Sequence, residues 1–82
     1  MEKKRILVTA VGENRLEILG RITALYLQRH IPVESLVLEQ GKDGNGLYKI
    51  CAVAPEESII KIVNQIGNII DISRVEYNYN HQ

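Results

Sequence analysis

The order of apolar patterns along the chain is the feature that most restricts its fold. Two segments with the i, i+3, i+4 spacing of an amphipathic helix each follow a β-rich run, and a glycine-rich segment joins two further β-like runs. The predicted order is therefore β-α-β-β-α-β, which is typical of the split βαβ, ferredoxin-like fold. We predict an α+β sandwich in which two helices cover one face of a four-stranded antiparallel sheet.

The strands are predicted from aliphatic and β-branched runs that lie between turn signals. The first run is almost continuously apolar, and we expect it to be covered on both faces or nearly so. Three glycines with Asp and Asn in residues 40–46 are typical of a turn between two strands. The predicted strands are residues 5–11, 33–39, 47–53 and 70–77, with a possible extension of the last strand to 79.

Capping signals give the ends of the two helices. Asn14 stands three residues before Glu17, which is the spacing of a capping box, so we predict Asn14 as the N-cap of the first helix. This helix is expected to end near residues 29–30, because Pro32 disfavours helical geometry at the preceding residue. Pro55 and the two acids after it predict the first turn of the second helix, and Gly67 is the predicted C′ residue.

Length and charge limit the class of protein. The chain has 82 residues, and its ten Lys and Arg balance ten Asp and Glu. We predict one domain, residues 1–82, with a core at about 5–77 and a flexible tail at 78–82. A neutral chain lacks the basic surface of a nucleic-acid or anionic-membrane binder. No leader or membrane-spanning segment is expected, and a single cysteine does not indicate a secreted disulfide scaffold, so the expected location is cytoplasmic.

Residues suited to catalysis or metal binding are few. His30 and His81 lie at a helix end and in the tail, and Cys51 lies within a strand, where a small buried apolar residue is the usual interpretation. No CxxC or HxxxH spacing indicates a metal site, and the glycine-rich turn lacks the ending of a phosphate-binding P-loop. RNA-binding modules that share this element order stack bases on aromatic residues of the two central strands, and those strands here contain Tyr48 alone. We predict a protein without enzymatic activity, metal or cofactor.

The aliphatic excess predicts a partner. The chain has twelve Ile, eight Leu and seven Val but no Phe or Trp, and the predicted second strand is an apolar strand at the sheet edge. Pairing this strand with its two-fold copy would give a homodimer with an eight-stranded sheet. The expected dimer-edge residues are Val33, Ser35 and Val37. The other sheet face is the expected docking surface for a further protein or for another dimer.

In such a dimer, a helix N-terminus at residues 12–17 would face the entry to the second strand, residues 31–34, of the other copy. Backbone N–H groups at a helix N-terminus suit a small carboxylate, such as that of an amino acid. The alternative is a capped helix without a ligand, and Glu17 favours this alternative.

Residues 12–40, GENRLEILGRITALYLQRHIPVESLVLEQ, resemble the ACT domain of acetohydroxyacid synthase (acetolactate synthase) regulatory small subunits. The family pattern is similar to ENRPGVLxRVxxLFxRRGYNIESLxV, and a weaker similarity to its QLxKLxDVxxV ending runs through residues 62–76. The positions that coincide with the longer pattern are Glu13, Asn14, Arg15, Leu19, Arg21, Leu25, Arg29, Glu34, Ser35 and Leu36.

The resemblance implies a noncatalytic subunit that activates a thiamine-diphosphate-dependent catalytic subunit in branched-chain amino-acid biosynthesis. The thiamine diphosphate, flavin and magnesium of that system belong to the catalytic subunit, so none is expected here. The effector, commonly valine, would bind at the dimer interface. The candidate effector-binding residues are Gly12, Asn14, Arg15, Leu16, Glu17, Ile31, Pro32 and Val33.

Two departures from the pattern bear on the effector. The family's Pro-Gly is Leu16-Glu17 here, and a carboxylate at that place would crowd and repel the carboxylate of an amino acid. The family's Asn at the second-strand entry is Pro32, which has neither a side-chain amide nor an N–H group. The sequence therefore favours the short, single-ACT type of small subunit with little or no response to valine. A free-standing amino-acid sensor remains the alternative, and an acylphosphatase-like enzyme is a third interpretation.

Overall fold

The computed structural model describes residues 2–80 and contains the predicted six elements in the predicted order. All strand pairs are antiparallel, and the sheet order is β2-β3-β1-β4, which places β2 and β4 at the edges. The fold is the ferredoxin-like βαββαβ sandwich. The elements are β1 (Lys3–Glu13), α1 (Leu16–Gln28), β2 (Val33–Gln40), β3 (Asn45–Pro55), α2 (Glu56–Gly67) and β4 (Ile72–Tyr79).

The core lies between the two helices and one face of the sheet. Its wholly buried side chains are almost all aliphatic, with Tyr26 and Tyr48 as the two aromatic members. The helices contribute the residues that the periodicity predicts, because positions three and four apart share one side of a helix. The buried helical residues are Ile18, Ile22 and Tyr26 in α1 and Ile59, Ile62 and Ile66 in α2.

The second face of β1 is less covered than the sequence predicts. Residues 6–12 of this strand alternate between buried and half-buried, so in the single chain the face under the helices is fully covered and the second face is partly covered. Leu7, Thr9 and Val11 point to the face that carries no helix, where only neighbouring strands flank them. We call this face, opposite the helices, the open sheet face.

The helix ends differ in detail from the predicted ends. Arg15, rather than Asn14, is the N-cap residue of α1, and no side chain caps this helix. Pro55 is the N-cap of α2 rather than part of its first turn. Gly67 is the last helical residue, and Asn68 follows with right-handed geometry, so Gly67 is not a left-handed C′ residue. The end of α1 was correctly predicted, with Arg29 as its C-cap.

The C-terminal strand continues past the predicted core. β4 extends to Tyr79, and the backbone N–H of Asn80 donates a hydrogen bond of 2.9 Å to the carbonyl of Arg5. Residues 78–80 of the predicted tail are therefore paired to β1. The remainder of that tail, including His81, lies outside the described residues.

Candidate functional site

The end of β1, the two-residue connection that follows it and the first turn of α1 contain five of the eight predicted effector-binding residues. Gly12 ends the buried face of β1, at a register shift between β1 and β4. A Cβ at this position would overlap the Asp71 carbonyl and lie 2.9 Å from the Cα of Ile72. Only glycine permits this approach of the two backbones, which brings the turn before β4 against the start of the connection.

Tyr48 of β3 fixes the backbone of this connection. Its ring is wholly buried, and its hydroxyl accepts a hydrogen bond of 3.2 Å from the N–H of Arg15. The same hydroxyl donates to the carbonyl of Glu13. These bonds satisfy backbone groups of the loop just before the helix, a role that an N-cap side chain usually fills. The sequence offered one signal for this role, because Tyr48 is the sole aromatic of its strand.

Three carboxylates surround the side chain of Arg15. Its guanidinium lies 3.2 Å from the Glu17 carboxylate, 3.3 Å from that of Asp71 and 3.5 Å from that of Glu13. These neighbours raise the pKa of Arg15, with the hydrogen bond to Glu17 as the largest cause. The pKa of Glu17 is lowered, first by a hydrogen bond to its own backbone N–H and then by Arg15. Together the four groups carry a net negative charge.

Asn14 and Leu16, at this end of α1, remain open to solvent. Leu16 has an exposed fraction of 75%. The side chain of Asn14 is exposed and makes no hydrogen bond among the described residues, so it does not form the predicted capping box. This end of α1 therefore presents an apolar side chain, an amide and an acidic cluster rather than a set of free anion-binding groups.

The other three predicted effector residues lie at the opposite end of α1. Ile31 is buried, Pro32 is exposed and Val33 begins β2. The 13 residues of the helix separate the two groups by about 20 Å. One chain thus does not bring the eight residues together, as expected for a site that needs two copies. The shared site stays a prediction.

The predicted dimer-edge strand β2 lies at a sheet edge, and its residues are divided between the two faces. Ser35 and Val37 pair with Cys51 and Lys49 and lie on the open sheet face. Val33 instead packs against the core, because a register shift separates it from Ser35. Dimerisation through this edge is not tested by the single chain and stays a prediction.

A polar cluster covers Cys51 on the open sheet face. Cys51 has an exposed fraction of 4%, so the prediction that it is a buried residue is confirmed. Arg5 and Glu34 form a two-point ion pair across β3, with distances of 2.7 and 3.1 Å. The amide of Asn80 donates to the Cys51 sulfur at 3.3 Å, and the thiol lies 3.9 Å from the Glu34 carboxylate. The hydrogen bond from Arg5 is the main cause of the lowered pKa of Glu34.

Residues 2–80 contain no group of three or more His, Cys, Asp or Glu side chains that could hold a metal ion. Within the same range, neither helix is long and apolar enough to span a bilayer.

Comparison of the sequence with family models and with curated proteins finds no match. Solved structures do match. The ACT domain of the GTP pyrophosphokinase of Chlorobium tepidum superimposes with a TM-score of 0.76 at 16% identity, over 93% of this chain and 99% of that one.

Two longer proteins contain the same fold. The acetolactate synthase small subunit of Thermotoga maritima matches with a TM-score of 0.75 at 16% identity, over 90% of this chain and 47% of that one. A homoserine dehydrogenase of Thiobacillus denitrificans matches with a TM-score of 0.80 at 13% identity, over 94% of this chain and 17% of that one. At these identities the comparison establishes the fold alone, and the fold of this chain is that of the ACT domains.

Proposed function

We propose that this protein is the regulatory small subunit of an acetolactate synthase, which activates the catalytic subunit and responds weakly or not at all to valine. The proposal is supported by the ACT fold and by the sequence similarity of residues 12–40 to such subunits. Under this proposal the chain is itself noncatalytic, forms a homodimer and binds a catalytic subunit.

The ion-paired environment of Arg15 is the observation that carries the weak effector response. Its guanidinium is already shared among Glu13, Glu17 and Asp71, so a bound carboxylate would compete with these groups. Glu17 adds a negative charge where the small subunits resembling this chain have glycine. Like charges this close disfavour a bound carboxylate.

The edge position of β2 supports the proposed homodimer. Leu36 and Val37 are 39% and 40% exposed, and proline is absent from the strand. Unpaired N–H and C=O groups on an apolar edge strand favour pairing with another strand. Sedimentation equilibrium is expected to give twice the 9.3 kDa mass of the chain, and a single-chain mass at high concentration would contradict the dimer.

The open sheet face is the proposed docking surface for the catalytic subunit. Thr9 lies at its centre, between Lys49 and Glu76 on the flanking strands. We expect Thr9→Arg to abolish activation of acetolactate formation by the cognate catalytic subunit, because a long charged side chain would separate the two surfaces. Thr23→Arg, which adds the same side chain on α1, is the matched control. Equal loss with both variants, or no activation by the wild type, would contradict the proposal.

Valine, leucine and isoleucine titrations test the effector part. Isothermal titration is expected to detect no micromolar binding of valine to the wild type. Glu17→Gly removes both the carboxylate and the Cβ, so valine binding is expected to strengthen in this variant. Micromolar valine binding by the wild type would contradict the insensitivity.

A free-standing amino-acid sensor is the alternative function. The exposed, unbonded Asn14 favours it, because this amide is left for a ligand within the described residues. Copurification of a tagged chain with a thiamine-diphosphate enzyme would favour the subunit, whereas tight amino-acid binding without such a partner would favour the sensor.

A further inference from the structure

A cavity of about 240 Å³ lies at the end of the domain where α1 ends and α2 begins. The first residue of β1 and the last residues of β3 complete its wall. Its polar lining residues are Lys3, Arg29, His30 and Ser58, and its apolar lining residues are Ile31, Pro32, Val53, Ala54 and Pro55. One chain forms the whole cavity.

The titratable residues that line this cavity are all basic. Lys3, Arg29 and His30 form no ion pair with any described residue. Arg5, Arg15 and Lys49, by contrast, each contact a carboxylate. A neutral chain thus gathers uncompensated positive charge in one concave place.

The two acids in the first turn of α2, Glu56 and Glu57, do not line this cavity. Glu56 accepts a hydrogen bond from Tyr77 at 3.0 Å and a second from Tyr79. Glu56 and Glu57 line a neighbouring cavity together with Glu2 and Lys4, and neither acid lines the basic one. The carboxylates in the first turn of α2 therefore do not neutralise the basic lining.

His30 occupies a backbone position that favours glycine. Its φ is +56°, and it is the C′ residue of a Schellman motif at the end of α1. In this motif the His30 N–H donates to Leu27 at 3.0 Å, and the Ile31 N–H donates to Tyr26 at 3.0 Å. A side chain in the left-handed region costs free energy that glycine avoids. The chain keeps an imidazole at this strained position, and the residue lines a basic cavity. We therefore expect the imidazole ring to take part in binding.

We propose that this cavity binds a small organic phosphate, with the phosphate group against Lys3, Arg29 and His30. Two cationic side chains, Lys3 and Arg29, suit a dianion better than a single carboxylate, and Arg recognises phosphate through several N–H donors at once. The hydroxyl of Ser58 supplies a further donor, and the apolar lining residues accommodate an apolar substituent. Amino acids are disfavoured, because the lining holds no carboxylate to receive an ammonium group.

Ile31 and Pro32 line this cavity and are also candidate effector-binding residues, but one chain forms the cavity, so the proposal needs neither a second copy nor a catalytic partner. Heteronuclear NMR titration of the full chain with butyl phosphate tests it. Saturable shifts are expected at Arg29, His30 and Ser58. Arg29→Gln and Lys3→Gln are each expected to weaken binding about tenfold, because each removes one charge-assisted contact.

Lys42→Gln is the matched control. It removes the same charge from the β2–β3 turn, at the opposite end of the sheet, and it is expected to leave the affinity unchanged. Equal weakening by Lys42→Gln would show general charge attraction and overturn the site. Absence of saturable shifts, or binding of valine as tight as that of butyl phosphate, would do the same. Inorganic phosphate binding as tightly as butyl phosphate would overturn the organic part of the proposal.

His30→Gly separates binding from folding. Glycine relieves the left-handed strain, so the urea midpoint of unfolding is expected to rise while butyl phosphate binding weakens. A higher midpoint with unchanged affinity would remove His30 from the site.

Discussion

The backbone N–H of Arg15 donates a hydrogen bond of 3.2 Å to the phenol oxygen of Tyr48, which lies 33 residues away in the chain. A buried side chain of β3 thereby fixes the connection that begins α1. The same connection holds Arg15 among three acids. The shape of the candidate effector site thus depends on a residue that does not itself reach solvent.

Tyr48→Phe is expected to destabilise the domain by about 1–3 kcal/mol, because the Glu13 carbonyl and the Arg15 N–H lose their partner. Urea unfolding followed by circular dichroism would measure the loss. Faster amide exchange at Arg15, with unchanged exchange at the centre of β1, would locate the effect in the connection. A stability equal to that of the wild type would contradict the anchoring role.

Tyr26→Phe removes the same atom from a different environment, and we expect the opposite sign. The Tyr26 hydroxyl is buried without a hydrogen-bond partner in residues 2–80. Its removal relieves an unsatisfied polar group and should stabilise the domain by about 1 kcal/mol. The same urea titration measures it, and a clear loss of stability would contradict the unsatisfied state.

Alkaline pH gives a second measurement on Tyr26. Burial, with a smaller contribution from Cys51, raises the pKa of this phenol far above its ordinary value of 10.0. The folded state therefore disfavours the phenolate form of Tyr26. The stability of the domain is unaffected by this group below pH 10, and it decreases as the pH rises above 10 because the unfolded chain ionises first. Tyr26→Phe is expected to reduce this alkaline loss. An unchanged pH profile would contradict it.

Gly12→Ala and Gly20→Ala form a matched pair. A methyl group at Gly12 would overlap the backbone before β4, so a loss of about 1–3 kcal/mol is expected. Nothing lies within 4 Å of the corresponding position at Gly20, in α1, where alanine should stabilise by about 0.5–1 kcal/mol. Thermal unfolding of both variants checks the signs, and a stabilising Gly12→Ala would contradict the close approach.

Asn80→Ala is expected to expose Cys51. The Asn80 amide covers the sulfur together with the Arg5–Glu34 pair, so its removal should speed the reaction of the thiol with a disulfide reagent several-fold. Asn64→Ala, on the exposed side of α2, is the control and should leave the rate unchanged. Equal rates for Asn80→Ala and the wild type would show that other groups protect the thiol.

The element order and most of the core could be predicted from the sequence. The buried residues of α1, which are Ile18, Ile22 and Tyr26, follow the helical spacing of the apolar residues in the sequence, and the glycine-rich turn correctly separated β2 from β3. These features depend on the neighbours of each residue along the chain, and local periodicity records them.

The predicted N-cap of α1 was wrong by one residue, and the reason is physical. Asn14 has the residue type and spacing of an N-cap, but the hydroxyl of Tyr48 already binds the backbone beside it. No local pattern gives this information, since the competing group comes from another strand. The contact between Asp71 and Arg15 was not predicted for the same reason, because the two residues lie 56 positions apart in the chain.

Composition and local spacing were enough to predict an α+β chain with two amphipathic helices, an apolar second strand and few groups suited to catalysis. Which charged side chains meet depends on the three-dimensional fold. It surrounded Arg15 with acids and left Lys3, Arg29 and His30 together without one. Electrostatic neighbours are set by strand order and helix packing, so a neutral sequence can contain both an acidic cluster and a basic cavity.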